Sequence, residues 1–204
     1  MATARVAGSI RGASTRYVTE IPEPRMARLA FADTRVAGLW LVVRLFVGWQ
    51  WLTAGLEKLQ NPAWVGSGAG TAIHGFALGA IAQAHGQYPA VQGWYAGFLR
   101  GVVLPNAGLF SYLVAVGELL VGAALILGLF TGIAAFFGAF MNLNYMLAGA
   151  ASTNPTLILL EIFLILAWRV SGWWGLDRVV LPRLGTPWYR RQEPRPEPVR
   201  VEER

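Results

Sequence analysis

From Gly117 to Pro155 the chain reads GELLVGAALILGLFTGIAAFFGAFMNLNYMLAGAASTNP, which sets one carboxylate, Glu118, and two amides, Asn142 and Asn144, among mostly apolar and small residues. This stretch predicts two membrane-spanning helices joined by a tight turn at Phe130-Thr131-Gly132. Hydrocarbon offers no hydrogen bonds, so the carboxylate and the amides must face protein or a wet cavity. Whatever the chain folds into has a polar interior and an apolar exterior.

The rest of the sequence agrees. Charged residues make up 14% of the chain and hydrophobic residues 55%, whereas charged residues alone are about a quarter of a soluble protein; the mean hydropathy is +0.45. An all-α integral membrane protein follows, with room in 204 residues for one bundle and its tails. A net charge of +6 invites a nucleic-acid partner, but its distribution argues against one. Six arginines (Arg5, Arg11, Arg16, Arg25, Arg28 and Arg35) precede the first apolar run, and eight follow the last. Between Val36 and Trp168 the basic residues Arg44, Lys58 and Arg100 are matched in number by Glu57, Glu118 and Glu161. Basic residues flanking spans stay cytoplasmic, so both termini are expected inside the cell membrane, with an even number of crossings.

Hydropathy favours four crossings, at about 36–59, 107–129, 131–149 and 156–172, with an outer loop at 60–106. Residues 1–35 then form a basic cytoplasmic tail with a short interfacial helix near Arg25 to Phe31, and 177–204 a largely disordered cytoplasmic tail. The first apolar run is of full spanning length and reads as a retained anchor, not a cleaved signal. The absence of cysteine excludes disulfides and thiolate chemistry within the chain. In the outer loop, Thr71 to Ala84 and Ala90 to Val103 predict two short interfacial helices, a lid over the bundle. His74 and His85 lie in this loop; their spacing admits a metal or haem pair, but two ligands without carboxylates favour no metal.

Helical spacing places the polar residues on faces. Arg44, Gly48, Trp51, Gly55 and Lys58 form one stripe of the first span, its glycines allowing close helix approach, and Lys58 is expected to snorkel to the outer surface. Glu118 shares a face with Gly122 and Leu125; Gly138, Asn142, Tyr145 and Gly149 line up on the third span, with Asn144 well round the helix. Counting from the inner surface puts Arg44 at roughly 12 Å, Glu118 at roughly 16 Å, and Asn142, Asn144 and Glu161 at roughly 20 Å. Charges buried in one slab should meet. The expectation is an Arg44–Glu118 ion pair, with Glu161 and the asparagines bordering a small polar cavity. Arg44 then either locks the bundle or faces a substrate.

At these residues the chain resembles the DoxX/DoxD family of four-helix bacterial and archaeal membrane proteins. The likeness rests on RLFVGWQWLTAGLEKL (Arg44 to Leu59), GELLVGAALILGLFT (Gly117 to Thr131), the Asn-bearing helix from Gly138, STNP (Ser152 to Pro155) and GLDR (Gly175 to Arg178). DoxD proteins are the membrane subunit of thiosulfate:quinone oxidoreductase, which works with a separate DoxA subunit. The resemblance therefore implies a membrane quinone as substrate or ligand and a DoxA-like redox partner, alongside membrane lipid and a second copy of the chain. In that reading Lys58 and Arg100, with Arg44 below, hold an anion. Trp49, Trp51, Phe136, Phe137 and Tyr145 flank a ring, and Glu118 or Glu161 relays protons. Arg44, Glu118 and Glu161 are the candidate catalytic residues, and Lys58, Asn142, Asn144, Trp51 and Tyr145 the candidate binding residues. The alternatives are a non-catalytic scaffold that recruits a redox partner through its basic tails, and a carrier for a small solute.

Overall fold

A computed structural model describes residues 23–186, and all regular structure among these residues is helical. Four helices form the bundle: α2 (Ala37–Leu59), α5 (Ala107–Leu127), α6 (Thr131–Leu147) and α7 (Asn154–Leu166). Successive members run antiparallel. α2 packs most extensively on α5, and α6 on α7. Glycines set the first of these interfaces. A methyl group on Gly55 would lie 2.5 Å from the Leu119 nitrogen, and one on Gly122 would collide with the Leu52 backbone, so only hydrogen side chains permit the approach. The stripe read from the sequence is the one that packs.

Side chains are distributed inside out. Arg44, Glu118, Asn142 and Glu161 are all buried, while Leu39, Val42, Trp49, Leu109, Leu120, Ile133 and Phe136 lie on the exterior. Water would punish such an exterior, and lipid matches it. Among the described residues two helices are long and apolar enough to cross a bilayer, Thr34–Leu59 and Gly93–Leu127. The second differs from expectation. A separate interfacial helix from Ala90 to Val103 does not form; instead α4 (Gly93–Phe98) continues through a π-helical segment (Leu99–Val103) and a tight turn (Leu104–Asn106) into α5. Pro105 occupies the start of that turn, where its missing N–H costs little, so it bends the helix without ending it. With α3 (Thr71–Ala82), this extension builds a second core at the loop end, around Ile73, Ile81, Tyr95 and Leu99.

At the opposite end, α1 (Arg25–Ala32) lies beside α8 (Trp168–Ser171). Phe31 stacks on Phe163, and the Trp40 indole donates to the Ala30 carbonyl at 2.7 Å. A further helix, α9 (Asp177–Arg183), begins where a disordered tail was expected to start. Asp177 is fully buried, and its carboxylate accepts from Phe130 N at 2.5 Å and Thr131 N at 2.9 Å, the first amides of α6. A residue 46 positions away in sequence caps the helix. The rest of the expected tails, 1–22 and 187–204, lies outside the described residues.

Candidate functional site

Lys58, in the last turn of α2, turns inward instead of reaching for the surface. Its ammonium lies 2.7 Å from Glu118 Oε2 and 5.0 Å from the centre of the Trp64 ring. The other carboxylate oxygen of Glu118 accepts from the Tyr145 hydroxyl at 2.6 Å. Three helices thus converge on one carboxylate, which is 1% exposed. A buried carboxylate needs a cation and hydrogen-bond donors, and Lys58 and Tyr145 supply both.

The expected Arg44–Glu118 pair does not form. Arg44 sits near the other end, and its guanidinium donates to the carbonyls of Leu125 at 2.8 Å and Trp174 at 3.2 Å. Leu125 is in the last turn of α5, at the negative end of the helix dipole, and its carbonyl also accepts from Gly128 N at 3.2 Å. Gly128 follows with φ +64°, and a methyl group there would collide with the guanidinium. Counting placed the two charges in one slab, but Arg44 lies at the α5–α6 turn and Glu118 about 10 Å further along α5, at the level of Lys58.

Glu161 has its own surroundings. Trp51 Nε1 donates to one carboxylate oxygen at 2.5 Å, and Asn142 Nδ2 to the other at 2.7 Å. Gly138 leaves the space, since a methyl group there would lie 2.5 Å from the Glu161 carboxylate. Asn142 Oδ1 is buried and without a hydrogen-bond partner among the described residues. The rings of Trp51 and Tyr145 lie 6.5 Å apart, so the Glu118 and Glu161 groups are neighbours across an aromatic pair. Asn144 is not with them: its side chain meets the Tyr95 hydroxyl at 3.1 Å, and its amide donates to Phe140 O.

Two cavities meet here. A polar one of about 390 Å³ is bordered by Gln50, Trp51, Glu57, Lys58, Glu118, Asn142 and Tyr145, together with Thr153 and Asn154. The other, about 610 Å³, is an apolar cleft between α5 and α6. Ile73, Phe76 and Tyr145 border both. Of the aromatics expected to flank a ring, Trp51 and Tyr145 face the polar cavity and Phe137 the cleft, whereas Trp49 and Phe136 point outward. Arg100 is exposed. So are His74 and His85; α3 ends at Ala82, so they share no helix face. Among the described residues no group of three or more His, Cys, Asp or Glu could hold a metal ion.

Sequence reasoning missed two participants. Trp64 lies in the loop after α2, where nothing local ties it to Lys58. The role of Asp177 was equally hidden, because the amides it caps belong to a distant helix. Compared with families of known proteins, the chain matches the family model described as DoxX over residues 39–151, a little over half its length. The match takes in Arg44, Lys58, Glu118, Asn142 and Tyr145 and stops short of Glu161. Comparisons with curated proteins and with solved structures found no match.

Proposed function

The chain belongs to the DoxX family of membrane proteins, and on that premise we propose that it is the quinone-side subunit of a membrane oxidoreductase of bacterial or archaeal type. One observation carries the reading. A hydrogen-bonded line of Lys58, Glu118 and Tyr145 borders a polar cavity, and Tyr145 is also the wall of an apolar cleft. A quinone has this dual character, with two carbonyl acceptors on a flat apolar ring. Its reduction takes two electrons and two protons, and Tyr145 and Lys58 are proton-bearing groups placed to turn toward a carbonyl. Trp51 and Phe76 supply apolar walls for the ring. Glu161, held by Trp51 and Asn142, is the reserve acid behind that wall.

Thiosulfate, the reductant that the resemblance implies, fits the cavity poorly. Lys58 is its one cation among the described residues, and Glu118 and Glu57 outweigh it. A divalent anion would be repelled there, so the proposal assigns thiosulfate oxidation and electron delivery to a DoxA-like partner. The scaffold reading draws on a different feature: Arg25, Arg28, Arg169, Arg178 and Arg183 are all exposed at the α1–α8–α9 end, where an acidic partner could dock.

Extraction and chromatographic assay of quinone co-purified with the protein distinguishes these readings. The quinone reading expects bound quinone in wild type and about tenfold weaker binding in Tyr145→Phe, the loss of one hydrogen bond at about 1.4 kcal/mol. A folded wild type that neither carries nor takes up quinone would remove this function and leave the scaffold. Solute uptake into liposomes would instead support the carrier.

A further inference from the structure

We propose that the cleft between α5 and α6 seats the hydrocarbon tail of the ligand, and that Phe76 and Tyr145 form the partition past which its ring reaches Glu118. This rests on the quinone reading and adds where the tail lies and how the ring arrives.

The shape of the cleft comes first. Its wall includes both Phe130 and Tyr145, residues at opposite ends of α6 and about 22 Å apart along the helix axis. A space of this length suits a linear chain better than a compact solute. The wall is almost wholly apolar. Its polar side chains, Tyr95, Asn144 and Tyr145, lie at the loop end and are engaged in hydrogen bonds, so no group along its length asks for a polar ligand. Small residues, Gly117, Ala124 and Ala134, form the floor, and Leu113, Leu120 and Ile133, all exposed, form the rims. The cleft is therefore open to hydrocarbon along its side.

The connection to the polar cavity comes second. Phe76 stands edge-on to Tyr145 with ring centres 6.2 Å apart, and both rings border both spaces. The hydroxyl of this same Tyr145 is bonded to Glu118. A molecule whose tail lies in the cleft has its head at this pair, one ring-width from the carboxylate. A polar head on a single long tail matches the two volumes in the order they occur. A phospholipid, with two tails and a bulky charged head, does not.

The test uses the full chain in lipid nanodiscs and follows quenching of tryptophan fluorescence, to which Trp51 and Trp64 in the polar cavity contribute. Two probes share one benzoquinone ring, one with a decyl tail and one without. Wild type should bind the tailed probe at least tenfold more tightly. Gly117→Leu and Ala124→Phe, which fill the cleft, should abolish that preference and leave binding of the tailless probe unchanged. A methyl group on Gly117 meets nothing closer than the Met141 sulfur at 3.4 Å, so a side chain can start there without a backbone clash, and circular dichroism and the unfolding midpoint of each filling variant check that it is folded. Phe76→Ala should speed association of the tailed probe. If both probes bind and neither filling variant alters the preference, the tail lies elsewhere and this proposal falls while the quinone reading stands. If neither probe binds, the quinone reading falls first. Filling variants that convert a dimer to monomers, or that release a co-purifying phospholipid without changing quinone affinity, would assign the cleft to a second copy or to lipid and overturn the proposal.

Discussion

Lys58 carries the largest consequence of any single side chain in this bundle. Substitution by Met leaves Glu118 buried with only the Tyr145 hydroxyl to balance its charge, and breaking a buried pair from one side costs about 3 kcal/mol. Glu118→Gln is milder, about 1–2 kcal/mol, because Lys58 can turn to water and the amide oxygen still accepts from Tyr145. The Lys58→Met/Glu118→Gln double variant should be no less stable than Lys58→Met alone, as read by thermal unfolding in detergent. By contrast, Arg44→Gln and Glu118→Gln should add to within about 0.5 kcal/mol, since the two residues share no partner. The sequence made the inward residues legible but not their pairing. Spacing fixes which face a residue occupies, whereas its depth relative to residues on other helices depends on how the helices pack, and counting set Arg44 too close to the level of Glu118. Arg44 shows the limit most clearly: its partners are backbone carbonyls, which no pattern of residue types reveals.

The elements are held by two devices of different visibility. Close approach of α2 and α5 was legible, because Gly48, Gly55 and Gly122 recur at helical spacing. Gly122→Ala would push α2 from α5 and pull Lys58 from Glu118, so a loss of 2 kcal/mol or more is expected. Gly75→Ala, in the middle of α3 with open space around its Cβ, should stabilise by about 0.5–1 kcal/mol. Unfolding midpoints of the two variants, measured side by side, separate a packing glycine from a merely flexible one. The second device is the clasp at the α5–α6 turn. Arg44 meets the carbonyl end of α5 and Asp177 the amide end of α6, each charge opposite to the dipole it faces. Asp177→Ala removes the cap and leaves one buried and one part-buried amide without it, so a loss of about 1–3 kcal/mol is expected. A chain cut after Leu176 should lose as much. The tail-like composition after Asp177 concealed this, because composition reports solvation and not long-range capping.

At the scale of the whole molecule, the internal contacts tie the number of crossings to the bundle. The 14 helical steps from Arg44 to Lys58 on α2 and the 14 from Thr131 to Tyr145 on α6 link the same two levels, the α5–α6 turn below and Glu118 above. If α2 crosses, α6 crosses beside it, although its 17 residues reach only about 26 Å against a hydrocarbon core of about 30 Å. The deficit is made up at the ends, where the clasp buries the turn and Tyr95 covers Asn144. α7 and α8 return together over Asn154 to Ser171. The absence of native cysteine gives a clean background for single-cysteine labelling with a membrane-impermeant maleimide. Cysteines at Glu23 and Thr186 should react from one side of intact cells or oriented vesicles, and cysteines at Gly86 and Ser152 from the other. The basic ends further predict that the first pair is cytoplasmic. Labelling of Ser152 from the same side as Thr186 would mean that α6 and α7 do not cross as a hairpin, and that the Glu118–Tyr145 contact is made by some other arrangement. Opposite labelling of Glu23 and Thr186 would demand an odd number of crossings, which antiparallel packing of these four helices does not allow.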